Sequence, residues 1–303
     1  MNLSTSTNIC AFSSGRERYP MLYCIEQCAK GGYKALDINF CECMNPNSLM
    51  RSDDWESYVE EIRLAGERFG VTFTQSHLPY YDIFANNEEG KVKLMEELIR
   101  RSIIASGRLG IRWTVTHPGT VFRADNNMEE SLERNVEYYS KHVQEAKNNG
   151  LGIALENDFE YKKSEGFHAY CSDISELVKL VDSLNESEYV GASYDFGHAN
   201  MQESTHRKNL NTIGHRLQAV HVQDNRGQSD EHLLPFHGNI DWKDAMAGLA
   251  DISFSNDLTF EVQEWGRYYP KELKYLVVEH SIKVGNILLG YYEEALSAKK
   301  NGV

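Results

Sequence analysis

The stretch HVQDNRGQSDEHLLPFHGNIDW, residues 221–242, holds three His, three Asp, a Glu and an Arg, and little that could build a core. A connecting loop has no need of so many groups able to hold a proton or a cation. The same kind of residue recurs through the chain, each time just after a short apolar run. Asp37 ends LDINF, His77 ends VTFTQSH, His117 ends IRWTVTH and Glu156 follows LGIAL. Asp195 and His198 fall in YDFGH, His221 and Asp224 in HVQD, and Glu261 in LTFEV. Buried imidazoles and carboxylates are costly unless they are paired or bound to a cation. A shared divalent metal would satisfy many of them together. A His and carboxylate set without Cys suits Mn, Zn, Co or Fe better than Ca. Asp195 with His198, and Asp230 with His232, are plausible ligand pairs; in an extended loop, positions i and i+2 point the same way.

These residues need elements to bring them together. Apolar runs at 8–13, 33–40, 71–77, 111–117, 151–157, 189–198, 217–224 and 258–262 read as strands. Helical patterns follow near 20–30, 53–70, 88–109, 128–150, 173–184, 204–215, 241–250 and 270–299. Glycines in KGGY, RFGV, RLGI and NNGL mark helix ends just before the next strand. Short apolar strands alternating with helices predict parallel strands buried on both faces. Eight such units in 303 residues predict a (β/α)8 barrel, one domain spanning 1–303. An open doubly wound sheet would carry a Gly-rich phosphate turn after its first strand, and SSGRERYP has none. In the barrel, every polar strand end listed above would converge on one mouth.

The net charge of −14 argues against nucleic acid, whose phosphates are bound chiefly by neutralisation. No apolar run approaches a membrane span, and MNLSTSTNICAFSSGRERYP has no charged-then-apolar leader, so a cytoplasmic protein is expected. The six Cys form no C-x-x-C pair and are expected to be reduced thiols.

The strand-end residues and the 221–242 loop resemble the xylose isomerase-like barrel superfamily, in its sugar phosphate isomerase/epimerase branch, which is related to endonuclease IV. The resemblance spans nearly the whole chain. It implies a divalent metal, Mn2+ first and Zn2+ or Co2+ as alternatives, held by Glu156, Asp195, His221 and Glu261. It implies that His198 and Arg226 contact substrate. Phe236 and His237 stand where the branch more usually has a small or Gly-rich stretch. Endonuclease IV motifs also match at His77, His117, Glu156, Asp195, His198, His221, Asp230, His232 and Glu261, so one to three ions are implied.

The chemistry implied is proton abstraction beside a metal-chelated carbonyl, giving an enediolate, with Glu156 and Glu261 as the acid/base pair. His77, His117, Asp230 and His232 orient hydroxyls or bind further ions. The substrate is expected to be a small sugar or sugar derivative. Aromatics at Tyr80, Tyr81, Phe84, Phe122, Tyr161, Trp242, Trp265, Tyr268 and Tyr269 could wall the mouth. An inosose or dehydroshikimate dehydratase on the same metal site, and an abasic-site endonuclease with three zincs, are the competing readings. The apolar stripe of the last helix is expected to close the barrel, or to support a homo-oligomer.

Overall fold

The computed structural model describes residues 1–122, 128–160, 168–202 and 204–300. Its strands are β1 Leu3–Ser6, β2 Ala35–Asn39, β3 Thr72–His77, β4 Trp113–Thr116, β5 Gly152–Glu156, β6 Val190–Asp195, β7 Leu217–His221 and β8 Leu258–Phe260. All pair in parallel, in the order β7-β6-β5-β4-β3-β2-β1-β8. The ring closes where Val222 N–H donates to Thr259 O (2.7 Å) and Glu261 N–H donates to Val222 O (3.0 Å). This is the predicted (β/α)8 barrel.

Among the described residues the helices are α1 Met21–Gly31, α2 Trp55–Phe69, α3 Glu89–Arg108, α4 Met128–Asn148, α5 Ile174–Leu184, α6 Phe196–Asn200, α7 His206–Ile213, α8 Trp242–Asp251 and α9 Lys274–Lys300. The four predicted glycine stops all sit at positive φ, 65° at Gly70, where a side chain would be strained. α9 buries Lys274, Val277, Val278, Ser281, Gly285, Leu288 and Tyr292, a stripe at helical spacing. Gly285 lies against Leu3 and Phe260, so the expected closing stripe crosses the seam between β1 and β8. No helix among the described residues is long and apolar enough to cross a membrane.

Three strand expectations change, the simplest at β7, which ends at His221 instead of running to 224. The first strand is Leu3–Ser6, not 8–13; Thr7–Cys10 is a turn of 3-10 helix. Ser4, Thr5 and Ser6 are fully buried, so this strand is built of small polar residues and lacks the apolar run by which strands are recognised. β6 stops at Asp195 instead of running to 198. Asp195 Oδ1 accepts the His198 N–H (2.8 Å), which caps α6 and ends the strand.

Strand alternation positions the polar groups. Trp113, Val115, Ala154 and Ala219 form a separate apolar cluster inside the ring, while Ile153, Leu155 and Val220 join the larger core between sheet and helices. Side chains two residues apart share a face. His117, Glu156 and His221 therefore continue the inward rows of Val115, Ala154 and Ala219 by one step toward the mouth.

Candidate metal centre and active site

His221 lies at the middle of the buried cluster. Its Nδ1 is 2.5 Å from Glu156 Oε1 and 3.6 Å from Glu261 Oε2. Its Nε2 is 3.0 Å from Gln75 Nε2 and 3.8 Å from Asp37 Oδ2, and Gln75 donates to Asp37 Oδ2 (2.9 Å). Asp37 and Gln75 thus form a polar layer beneath the site that fixes the ring. Register places Asp195 beside His221. One ligand atom each from Asp195, His221 and Glu261 lies within 4.8 Å of the others; the same holds for Glu156, Asp195 and His198, and for His77, His117 and Glu156.

Glu156 joins these groups. Its Oε2 is 3.2 Å from His117 Nε2 and 3.6 Å from His77 Nε2, while its Oε1 faces His221. His77 is oriented by donating from Nδ1 to Leu78 O (2.7 Å), and His198 by donating from Nδ1 to Asn157 O (2.8 Å). Each Nε2 is thereby turned to the cluster. Asp230 accepts from Gln223 through Oδ1 (2.5 Å) and lies 2.8 Å from His232 Nε2 through Oδ2. His198 Nε2 is 3.8 Å from the same Oδ2. His232 sits at φ 47°, so the D-x-H segment is curled, not extended; its two members meet each other as well as the site.

The electrostatics describe carboxylates answered by imidazole protons. Burial alone would raise the Glu156 carboxyl, but His221 and His117 hold it well below the usual range. Burial pushes Asp195 up to about 7, reinforced by Glu156 and Asp230 against His198 and His232. Burial opposes charge on His198 and His221, yet the carboxylates keep both well above the ordinary imidazole value. Asp230 raises His232 to about 10 against burial. Within the cluster it is His117 that yields to burial, falling to about 3. Asp195 Oδ2 and Gln223 Oε1 are buried with no hydrogen-bond partner among the described residues. Unanswered buried oxygens amid imidazoles are what a divalent cation would satisfy, so the donor set fits a metal.

Above the cluster opens a cavity of about 560 Å³. His77, His117, His198, Asp230, His232 and Glu261 line it; Glu156, Asp195 and His221 lie behind that lining. Of the expected aromatic wall, Tyr80, Tyr81 and Phe122 line the cavity, joined by Phe12 and Phe159. Trp242 is buried elsewhere, donating to Asp224 Oδ2 (3.1 Å), and Trp265 packs on His237 (4.3 Å between ring centres). Phe84 stacks under Arg134, Tyr268 and Tyr269 are exposed outside the lining, and Tyr161 lies outside the described residues.

Arg226 is not brought to the site. Its side chain is 61% exposed and Nη1 pairs with Glu231 Oε1 at 2.5 Å. The lining residues that the sequence patterning did not single out include Asn8, Phe12, Arg18, Asn39, Cys41 and Gln263. Gln75 and Gln223 were legible in principle, since each lies two residues from a ligand candidate on an inward row.

Asp224 takes no part in the cluster, and builds the loop that does. Its Oδ1 accepts from Asn225 N (2.9 Å) and Ile240 N (3.3 Å), and its Oδ2 from Phe236 N (2.9 Å) and Trp242 Nε1. Backbone bonds between Asp224 and Leu233 fold the segment back, carrying Asp230 and His232 over the site. A Cβ at Gly238 would fall 2.1 Å from Asn225 O and 2.2 Å from Asp224 Oδ1, so only glycine fits there. Asp241 caps α8.

A family model described as xylose isomerase-like TIM barrel matches residues 25–277. An uncharacterized protein of Methanocaldococcus jannaschii is 31% identical over 208 residues, 67% of this chain and 68% of its own. The crystal structure of a D-tagatose 3-epimerase-like protein superposes with a TM-score of 0.73 at 22% identity, covering 99% of each chain. That of the IolI protein with a bound zinc atom gives 0.70 at 18% identity, covering 98% of each.

Proposed function

The chain belongs to the xylose isomerase-like TIM barrel family, and from that premise we propose that it is a divalent-metal-dependent sugar or sugar phosphate isomerase or epimerase. The observation that carries this reading is the buried meeting of Glu156, Asp195, His221 and Glu261 behind a cavity with aromatic walls. The D-tagatose 3-epimerase-like neighbour and the zinc in the IolI neighbour support it.

Glu156, Asp195, His221 and Glu261 would hold the ion, Mn2+ in first place. When bound there it supplies positive charge to oxygens beside the carbon that loses a proton. Glu261 lines the cavity and is placed to take or return that proton. Glu156 is its partner on the strand-five side, once its Oε2 is released from His117. His198, fixed through Nδ1, presents Nε2 to a substrate oxygen.

The test is exchange of solvent deuterium into the carbon next to the carbonyl, followed by NMR over a panel of ketoses and ketose phosphates with Mn2+. Exchange that disappears in Glu156→Gln and in Glu261→Gln supports the scheme. Near-normal exchange in either variant ends it.

A second reading is favoured by one specific observation. Nine residues pack as adjacent ligand groups, with His77, His117, His198, Asp230 and His232 around the four just named. That is enough for the three ions that the resemblance to endonuclease IV implies, and metal-assisted cleavage of a phosphodiester is chemistry such a cluster could support. Three zincs per chain together with cleavage of an abasic-site duplex would establish it in place of the first.

A further inference from the structure

The ring of candidate ligands is incomplete in one sector. β3 to β8 and their loops all contribute a His, Asp or Glu to the cluster. β1 and β2 contribute none at that level; their loops line the cavity with Asn8, Phe12, Arg18, Asn39, Cys41 and Met44. Arg18 is the only Lys or Arg among the described residues of that lining.

Arg18 is held in place. The loop after β1 doubles back as a small hairpin, with Ser13 N–H donating to Glu17 O (2.9 Å) and Tyr19 N–H to Ala11 O (2.7 Å). The guanidinium lies over the Phe12 ring, 5.1 Å from its centre, and Nη2 donates to Asn8 Oδ1 (2.7 Å). No carboxylate lies within ion-pair distance of it among the described residues. Glu42, the buried carboxyl that feels its charge, is raised by burial more than Arg18 lowers it. The remaining guanidinium N–H groups have no protein acceptor among the described residues, which leaves a fixed, pre-oriented fork.

The neighbouring groups suit hydroxyls. Asn39 is buried and spends its Oδ1 on Cys41 N–H (3.0 Å), leaving its amide NH2 without a described partner. Gln263, from the β8 side, has a buried Oε1 with no partner at all among the described residues. The carboxylates of the lining, Asp82, Asp158, Asp230 and Glu261, stand on its other sectors, together with four histidines and the aromatics. Away from the imidazoles of the candidate metal centre, Arg18 is the cationic group that a negatively charged part of a ligand would meet among the described lining residues.

Resting on the reading of this cavity as the substrate site, we infer that the Arg18, Asn8, Asn39 and Gln263 sector binds the end of the substrate remote from the metal. That end is a hydroxylated chain closed by an anion, a phosphate or a carboxylate. Neutral sugars of the same length are therefore the poorer ligands.

Calorimetric titration tests this with three probes: D-fructose, D-fructose phosphorylated on its terminal hydroxyl, and the keto-acid D-fructuronate. Each is titrated into Mn2+-loaded and into chelator-treated wild type, Arg18→Met and Arg18→Lys. In wild type at least one anionic probe binds about tenfold or more tighter than fructose. The preference disappears in Arg18→Met and survives in part in Arg18→Lys. Which anionic probe leads decides between phosphate and carboxylate. Equal affinity for all three in wild type, or a preference kept by Arg18→Met, overturns the inference. If Arg18→Met does not fold, the wild-type preference and its loss at high salt decide. Deuterium exchange separates this from the reading it rests on. Anion preference with no exchange on any probe removes the epimerase and keeps the role of Arg18. Exchange on fructose as fast as on its charged analogues, with no binding preference, does the reverse.

Discussion

Asp195 ends β6 and Asp224 lies three residues past the end of the neighbouring β7; both are fully buried, and their charges are met in opposite ways. Asp224 receives four N–H donors, two on each oxygen, all from the loop it organises. Asp195 receives the His198 N–H and a 3.2 Å bond from Gln223 on Oδ1, and nothing on Oδ2. A fully hydrogen-bonded carboxylate is part of the framework. One left short of partners, amid other carboxylates, stores unfavourable energy that a cation can release. The lesson is that burial alone does not mark a functional acid; the balance of donors does.

The sharpest break of this comparison is Asp195→Asn against Asp224→Asn. Asp195→Asn should lower metal-dependent turnover by about a thousandfold or more, since it removes a charged ligand. It should leave the metal-free fold at least as stable as wild type. The sign follows from the raised acid: a folded value of about 7 against 3.8 unfolded means the native state binds the extra proton between those limits. The contribution of Asp195 to the stability of the metal-free protein therefore falls as pH rises from about 4 to about 7, on the order of 2–4 kcal/mol. Thermal melts across that range should show the stability of wild type falling relative to that of the variant as pH rises. A metal-free Asp195→Asn protein markedly less stable than wild type at pH 8 would make Asp195 framework after all.

Asp224→Asn should behave as the framework case. Its amide NH2 would face N–H donors, costing about 2–4 kcal/mol. Denaturant melts should show this loss with or without metal, and turnover should fall only as far as Asp230 and His232 lose their places. Metal addition sharpens the contrast further. Mn2+ at about a hundred times its dissociation constant should stabilise wild type by about 2.7 kcal/mol. The same addition should leave the Asp195→Asn melt almost unmoved and shift Asp224→Asn by nearly the wild-type amount.

The comparison also explains which parts were legible in the sequence. Alternation of apolar strands and helices carries the barrel, because seven of its strands are apolar runs. β1 escapes because Ser4, Thr5 and Ser6, buried on both faces of the strand, are small polar residues and not an apolar run. His77, His117, Glu156, Asp195, His221 and Glu261 were legible because they stand at the ends of strands, where period-two alternation turns them inward, whereas Asp230 and His232 are brought in by a folded loop. Arg226 and Arg18 mark the limit. Arg226 is close in sequence to His221 but is answered by Glu231 on the outside of its loop. Arg18 is far from every ligand in the chain and reaches the cavity only through a hairpin whose course depends on Asn8 and Phe12. Donor balance at Asp195 and Asp224 is likewise a property of the folded loops, which the shared residue type conceals.

A third charge, half-buried and smaller in effect, extends the comparison to a group that is over-answered. His168 lies between two acids, with Nδ1 2.6 Å from Glu160 Oε1 and Nε2 2.9 Å from Glu176 Oε1. Glu176 in turn accepts the Cys171 N–H (2.9 Å), and Glu160 accepts from Ser172 Oγ (3.1 Å). The hydrogen bond to Glu176 raises the imidazole to about 9, against burial and with help from Glu160. The folded value exceeds the unfolded 6.5, so the clamp is fully present below that pH and is lost as pH rises through about 9. The ring is 29% exposed, so solvent screens part of the attraction, and about 1–2 kcal/mol is the expected contribution. Melts of wild type should decline over that window more steeply than those of His168→Gln, with the two converging above it. The clamp secures the segment after β5, whose Asp158 and Phe159 line the cavity. Equal slopes in the two proteins would mean that this segment keeps its place by packing alone, and that the charge on His168 is incidental.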